Sequence, residues 1–137
     1  MPTNPYEKMQ EDRIHTASKE ELTLMLFDGA LKFCNQAIMA IENKEIEKAG
    51  NYIIKVQNII LEFQMTLDKK YDVSKHLNMM YDYIYRRLVD ANLTKNVDTL
   101  KEARSFIKDL RDTWREAMKI AKSQSASGKP ANWDKGL

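Results

Sequence analysis

The sequence predicts an all-α protein, an antiparallel up-down-up-down four-helix bundle with an extended N-terminal arm. Three observations carry this expectation: turn residues are scarce, apolar residues recur at helical spacing along four stretches, and the connections between those stretches are short. Gly 4 and Pro 3 in 137 residues make about 5% against a usual ~12%, so a fold of many tight turns lacks the residues that build them. Hydrophobic residues are 43% and charged residues 31% of the chain, a balance that fits a globular domain better than a disordered or membrane-embedded one. A chain of this length makes one core and buries roughly two thirds of the surface its unfolded form exposes.

Residues 1–17 hold Pro2 and Pro5 and carry no helical stripe, which reads as an arm. The first helix is placed at about 18–43, because Ser18 and Glu21 have capping-box spacing, with Leu22, Leu26, Gly29, Phe33, Ala37 and Ile41 as its core line. The second, about 45–69, steps by three and four through Ile46, Ala49, Ile53, Val56, Ile60, Phe63 and Leu67. The third, about 74–92, is read from Leu77, Tyr81, Ile84, Leu88 and Ala91. The fourth, about 97–122, has a seam of Leu100, Ala103, Ile107, Leu110, Trp114, Ala117 and Ala121, with Thr99 and Glu102 at a second capping-box spacing. Short connections between long helices make sequence neighbours antiparallel. The Ser, Gly and Pro residues of 123–137 read as a flexible tail after a bundle of 18–122.

The chemistry for catalysis is missing. His15 and His76 are the only histidines, too few for the inward-facing Glu-x-x-His pairs that hold metals in bundle cores, and Asp12-x-x-His15 lies before the first helix. No glycine-rich phosphate loop or nucleophile elbow is present. The chain is therefore read as no enzyme, with no cofactor and no metal. Cys34 stands alone, so no internal disulfide forms, and it is expected to be a small buried apolar residue. Arg86 and Arg87 are expected to pair with Asp82 or Asp90. A net charge of +2 with no polycationic segment argues against nucleic acid while leaving room for a local patch. No signal peptide and no apolar run of ~18 residues is recognised, which predicts a cytoplasmic protein with no membrane insertion.

Apolar residues exceed what four seams need. At ~100° per residue, Leu24, Phe27, Leu31 and Ile38 form a second stripe on the first helix, roughly 140–200° around from Leu22. The second helix adds Ile54 and Leu61 beside its seam, and Tyr81, Tyr83 and Tyr85 in alternate positions cannot share one helical face, so at least one should meet solvent. Either the first helix touches two neighbours, or this surplus forms a groove for an apolar partner segment.

Four segments carry a family resemblance. Asn4-Pro5-Tyr6 followed by Thr16 to Phe33 (TASKEELTLMLFDGALKF), Met80 to Asn92 (MYDYIYRRLVDAN) and Leu110 to Ala117 (LRDTWREA) resemble the flagellin-specific export chaperones, the FliS family, in order and spacing over about residues 4–118. The resemblance implies a chaperone that holds the disordered C-terminal segment of flagellin, prevents premature polymerisation and keeps the cargo ready for flagellar type III secretion. Other flagellar proteins are further partners it allows. The apolar surface left over after the seams are filled, Leu24, Phe27, Leu31, Ile54, Leu61 and Tyr83, is then the candidate cargo groove, and the resemblance makes Asn4, Pro5, Tyr6 and Ile14 the arm that lies over part of the binding surface when cargo is absent. Met9, Lys19 and Phe27 depart from the family's usual tyrosine, proline and tyrosine. The competing expectation is a structural helical bundle that acts through self-association.

Overall fold

The computed structural model describes residues 17–126. Four helices follow one another, α1 (Lys19–Glu42), α2 (Ile46–Thr66), α3 (Asp72–Thr94) and α4 (Val97–Ala126), and the described residues contain no strand. Each helix packs on the next, and α4 returns to α1, so the four form a closed antiparallel ring. The expected elements and their order are those observed, with ends shifted by a few residues.

Local chemistry places the ends. The Ser18 hydroxyl accepts the Glu21 N–H at 3.1 Å, and Glu20 and Glu21 complement the positive end of the α1 dipole. The chain then reverses through Lys44 at φ 61, where Asn43, Lys44 and Glu45 N–H groups return to the carbonyls of Met39, Ile41 and Ala40. Between α2 and α3, the Lys70 N–H donates to the Asp68 carboxylate at 3.1 Å, and the buried Ser74 hydroxyl donates to the Asp68 carbonyl. The α4 cap differs from the expected one. Asn96, not Thr99, accepts through its side chain, from the Thr99 N–H at 3.0 Å, which frees Glu102 to face α3. Lys95, at φ 53, ends α3 in the left-handed region, and its ammonium donates to Asn92 Oδ1 at 2.8 Å. That turn lies close on α2: a Cβ at Gly50 would sit 3.4 Å from Asn92 Oδ1.

The core joins the apolar seams of α2, α3 and α4. Ile53, Val56, Ile60, Ile84, Leu88, Leu100 and Ile107 are fully buried, and Trp114 is nearly so. Its indole N–H donates to the Glu20 carbonyl at 3.1 Å and ties α4 to the start of α1. Ile46, at the first position of α2, is exposed.

The α1 seam is corrected. The core line runs through Phe27, Ala30, Cys34, Ala37 and Ile38, taking Ala37 from the expected core line and Phe27 and Ile38 from the second stripe, with Ala30 and Cys34 between them. Phe33 of the expected core line stacks on Tyr52 of α2, with ring centroids 6.2 Å apart, while Leu26 stays 37% exposed. On the opposite flank, Arg111 of α4 bonds Asp28 and Arg104 bonds Asn35, each at 2.7 Å, and Leu24 and Leu31 pack partly buried against the core. What remains of the two stripes forms the two flanks of a helix wedged between α2 and α4. Asp28 and Lys32 interrupt the apolar residues of α1, so no uninterrupted run of ~18 is present in it. By length and composition alone α1 would suffice to cross a membrane, and here its apolar side chains serve three directions of packing.

Two outcomes follow from this core. Phe27→Ala should lower stability by about 3–5 kcal/mol, since the ring is 3% exposed and lies 4.4 Å from that of Phe63, centroid to centroid; chemical denaturation measures it, and a loss near that of a surface change would mean Phe27 lies outside the core. Burial pushes the Cys34 thiol up from 9.0 to about 12, with Arg104 opposing weakly. Its contribution to stability is therefore full below pH 9 and disappears as pH climbs toward 12. Denaturation midpoints measured across that range should fall less steeply for Cys34→Ala than for the parent chain.

Candidate functional site

The described surface offers apolar features at the end of the bundle and along the edges of α2 and α3. At the end where α1 and α3 begin, Phe27, Phe63 and Tyr81 form a graded aromatic stack, the second pair 5.7 Å apart. This stack floors an open cavity of about 370 Å³ whose walls include Leu67, Leu110 and Trp114 and whose rim carries Lys19, Glu20, Asp68 and Lys70. Between α3 and α4 a smaller hollow of about 200 Å³ is lined by His76, Met79, Met80, Tyr83, Ile84 and Phe106. Along α2, the exposed side chains Ile54, Leu61 and Met65 recur at seven- and four-residue steps, so they share one face. Gly50 and Gln64 of α2 meet α3 residues, which puts that face on the outer edge of the α2–α3 seam.

The Tyr83 ring makes an edge contact with Phe106 at 5.5 Å, and its hydroxyl donates to Glu102 at 2.7 Å. Arg87 donates to the other oxygen of Glu102 at 3.1 Å and pairs with Asp90. This hydrogen bond holds the Tyr83 phenol above its ordinary value and the Glu102 carboxyl below its own. This network fixes the tyrosine ring at the rim of the hollow. Arg86 pairs with Asp82 at 3.2 Å across exposed surface, as expected, and such a pair adds little to stability.

The six groove residues read from the sequence do not converge. Phe27 belongs to the core. Leu24 and Leu31 lie on the α1 flank that faces α4. Ile54 and Leu61, 47% and 38% exposed, lie on the outer edge of α2, and Tyr83, 40% exposed, lies at the α3–α4 hollow. Tyr81 is buried and Tyr85 half-buried, so Tyr83 is the solvent-facing member of the alternating set. Asn4, Pro5, Tyr6 and Ile14 lie outside the described residues. The sequence reading missed Met65, 80% exposed, although it follows Ile54 and Leu61 at helical spacing. Among the described residues no group of three His, Cys, Asp or Glu side chains could hold a metal ion. What the arrangement offers is contact area for apolar side chains.

The chain is similar to known flagellar chaperones over most of its length. The family described as Flagellar protein FliS matches residues 2–121. The flagellar secretion chaperone FliS of Bacillus subtilis (strain 168) is 44% identical over 115 residues, covering 84% of this chain and 86% of that one. Its counterpart from Campylobacter jejuni is 32% identical over 113 residues, covering 81% and 88%, and that of Escherichia coli (strain K12) is 29% identical over 111 residues, covering 79% and 82%. The helical bundle, its surplus of outward apolar side chains and these matches together place the chain in the FliS family of flagellar secretion chaperones.

Proposed function

We propose that this protein binds the disordered C-terminal region of flagellin in the cytoplasm, prevents its premature polymerisation and keeps it competent for flagellar type III secretion, acting by binding and catalysing no reaction. The carrying observation is the set of exposed apolar side chains on the outer edge of α2 and at the α3–α4 hollow, on a bundle whose core is already closed, in a chain of this family. Ile54, Leu61 and Met65 on α2 and Met79 and Tyr83 on α3 are the contacts the reading favours. Leu24 and Leu31 are set apart on the opposite seam. A disordered segment that orders on binding must recover the lost conformational entropy, and burial of apolar side chains in a preformed surface supplies it. Each large aliphatic side chain contributes about 1.5–3 kcal/mol when fully buried, so a handful of anchors suffices for a complex that can later be released. Self-association through the same apolar side chains is the second reading, since an apolar edge also suits another copy.

Two measurements separate these readings. Ile54→Glu and Leu61→Glu should each weaken a one-to-one complex with a flagellin C-terminal peptide at least tenfold by titration calorimetry while shifting the melting temperature by no more than a few degrees. A variant that loses self-association in sedimentation and keeps full peptide affinity supports the second reading. The N-terminal arm, with Tyr6 and Ile14 as apolar anchors, is proposed to compete for this surface. If it does, the free protein is only fractionally competent and its apparent affinity is reduced by that fraction. Deletion of residues 1–16 should then tighten or speed binding; a weaker complex would make the arm part of the cargo contact.

A further inference from the structure

All seven Lys and Arg residues of α4 lie on one face. Lys101, Arg104, Lys108, Arg111, Arg115, Lys119 and Lys122 follow one another at steps of three or four, a stripe roughly 32 Å long at 1.5 Å per residue. The face is the one turned toward α1, because Arg104 and Arg111 bond Asn35 and Asp28 across that seam. Two of these cations are held in ion pairs: Arg111 with Asp28 and Asp112, and Lys108 with Asp112. Lys101, Arg115, Lys119 and Lys122 have no carboxylate of a described residue within ion-pair distance. Beside the stripe, Leu31 and Asn35 of α1 with Lys101, Arg104, Ser105 and Lys108 line a groove of about 390 Å³. Leu24, seven residues before Leu31, continues the apolar line along the same flank of α1.

We propose that this α1–α4 groove is a second docking surface, on the opposite side of the bundle from the α2–α3 edge, and that its occupant is an acidic amphipathic helix of a partner protein. The charge is complementary: a row of cations, most of them without an acidic partner, borders an apolar strip. The pitch selects a helix. Cations spaced by three and four residues along α4 recur about every 5 Å, which is the repeat of carboxylates at i, i+4 and i+7 on a helix laid alongside, whereas alternate side chains of an extended strand recur at about 6.6 Å. Apolar residues of such a helix would rest on Leu24 and Leu31 while its carboxylates meet Lys101, Arg115 and Lys119. A nucleic acid suits the groove less well. Glu21 and Asp28 of α1 and Asp112 and Glu116 of α4 stand next to the stripe, where phosphates would meet them, and the groove lining has no aromatic ring on which bases could stack. This inference rests on the proposed placement of flagellin away from the α1–α4 groove; a variant that loses both the designed peptide and the flagellin peptide would overturn that placement, whereas loss of neither overturns the second surface.

The test uses the full chain and a fluorescein-labelled 18-residue helical peptide with Leu at positions 4, 8, 11 and 15 and Glu on both flanks, a design spacing taken from the heptad-like repeat. A scrambled peptide of the same composition and a 20-nucleotide oligothymidylate serve as the other probes, read by fluorescence anisotropy. The designed peptide should bind at least fivefold more tightly than the scrambled one and weaken as salt rises from about 0.05 to 0.5 M. Lys101→Glu/Arg115→Glu/Lys119→Glu should lose at least tenfold in peptide affinity while keeping its affinity for a flagellin C-terminal peptide. If that variant fails to fold, Lys101→Gln/Arg115→Gln/Lys119→Gln is expected to show a smaller loss of the same kind. Equal binding by parent and variant, equal binding of scrambled peptide or oligothymidylate, or no binding overturns the proposal. A gain above tenfold in peptide affinity on deleting residues 1–16 also overturns it, because the groove's occupant would then be the acidic arm of this chain.

Discussion

The ring of four helices closes only because α1 fits between α2 and α4. Ala30, Cys34 and Ala37, all fully buried, give α1 a narrow face toward the core, with larger side chains on either side of it. Toward α2 the flank is aromatic, Phe33 on Tyr52 with the Lys55 ammonium 5.0 Å from the Phe33 ring centroid. Toward α4 it is polar, with Arg111 and Arg104 reaching across to Asp28 and Asn35. The ring of helices closes because one helix satisfies two neighbours of different chemistry, and a close-packed interior tolerates little change along that narrow face.

Closure of the core determines what remains available for recognition. The seams of α2 and α3 are complete without Ile54, Leu61, Met65, Met79 and Tyr83, so these side chains can be given over to a partner without weakening the bundle. Methionine suits such a surface, since its unbranched thioether repacks around varied shapes. The same closure silences the cysteine: a thiol held near a pKa of about 12 by burial is neither a nucleophile nor a redox sensor at physiological pH. Function in this protein therefore rests on which side chains face outward.

The two opposite seams differ in character. The outer edge of α2 and the α3–α4 hollow are apolar, with Tyr83 held in place by Glu102 and Arg87. The α1–α4 seam is lined by cations over a thin apolar strip. On the functional reading proposed above, a disordered cargo takes one of these dissimilar faces and a structured partner the other, without competition between them.

The helical class, the chain order and the buried faces of α2, α3 and α4 were legible in the residues alone, because each of these helices has one dominant apolar seam and a 3.6-residue period points it inward. The sequence also marked Ser18 as a cap and Cys34 as buried. It could not orient α1, whose apolar residues cover more than half its circumference: periodicity there yields two stripes, and only the positions of α2 and α4 show that the core line draws on both. For the same reason Phe27 read as a groove residue and proved to be core. The cation stripe of α4 was legible in its three- and four-residue spacing, yet net charge summed over a segment cancels cations against acids on other faces of the same helix. Which of the surplus apolar residues share a surface was decided by the tertiary structure alone, since residues on different helices become neighbours only when the helices take their places in the ring.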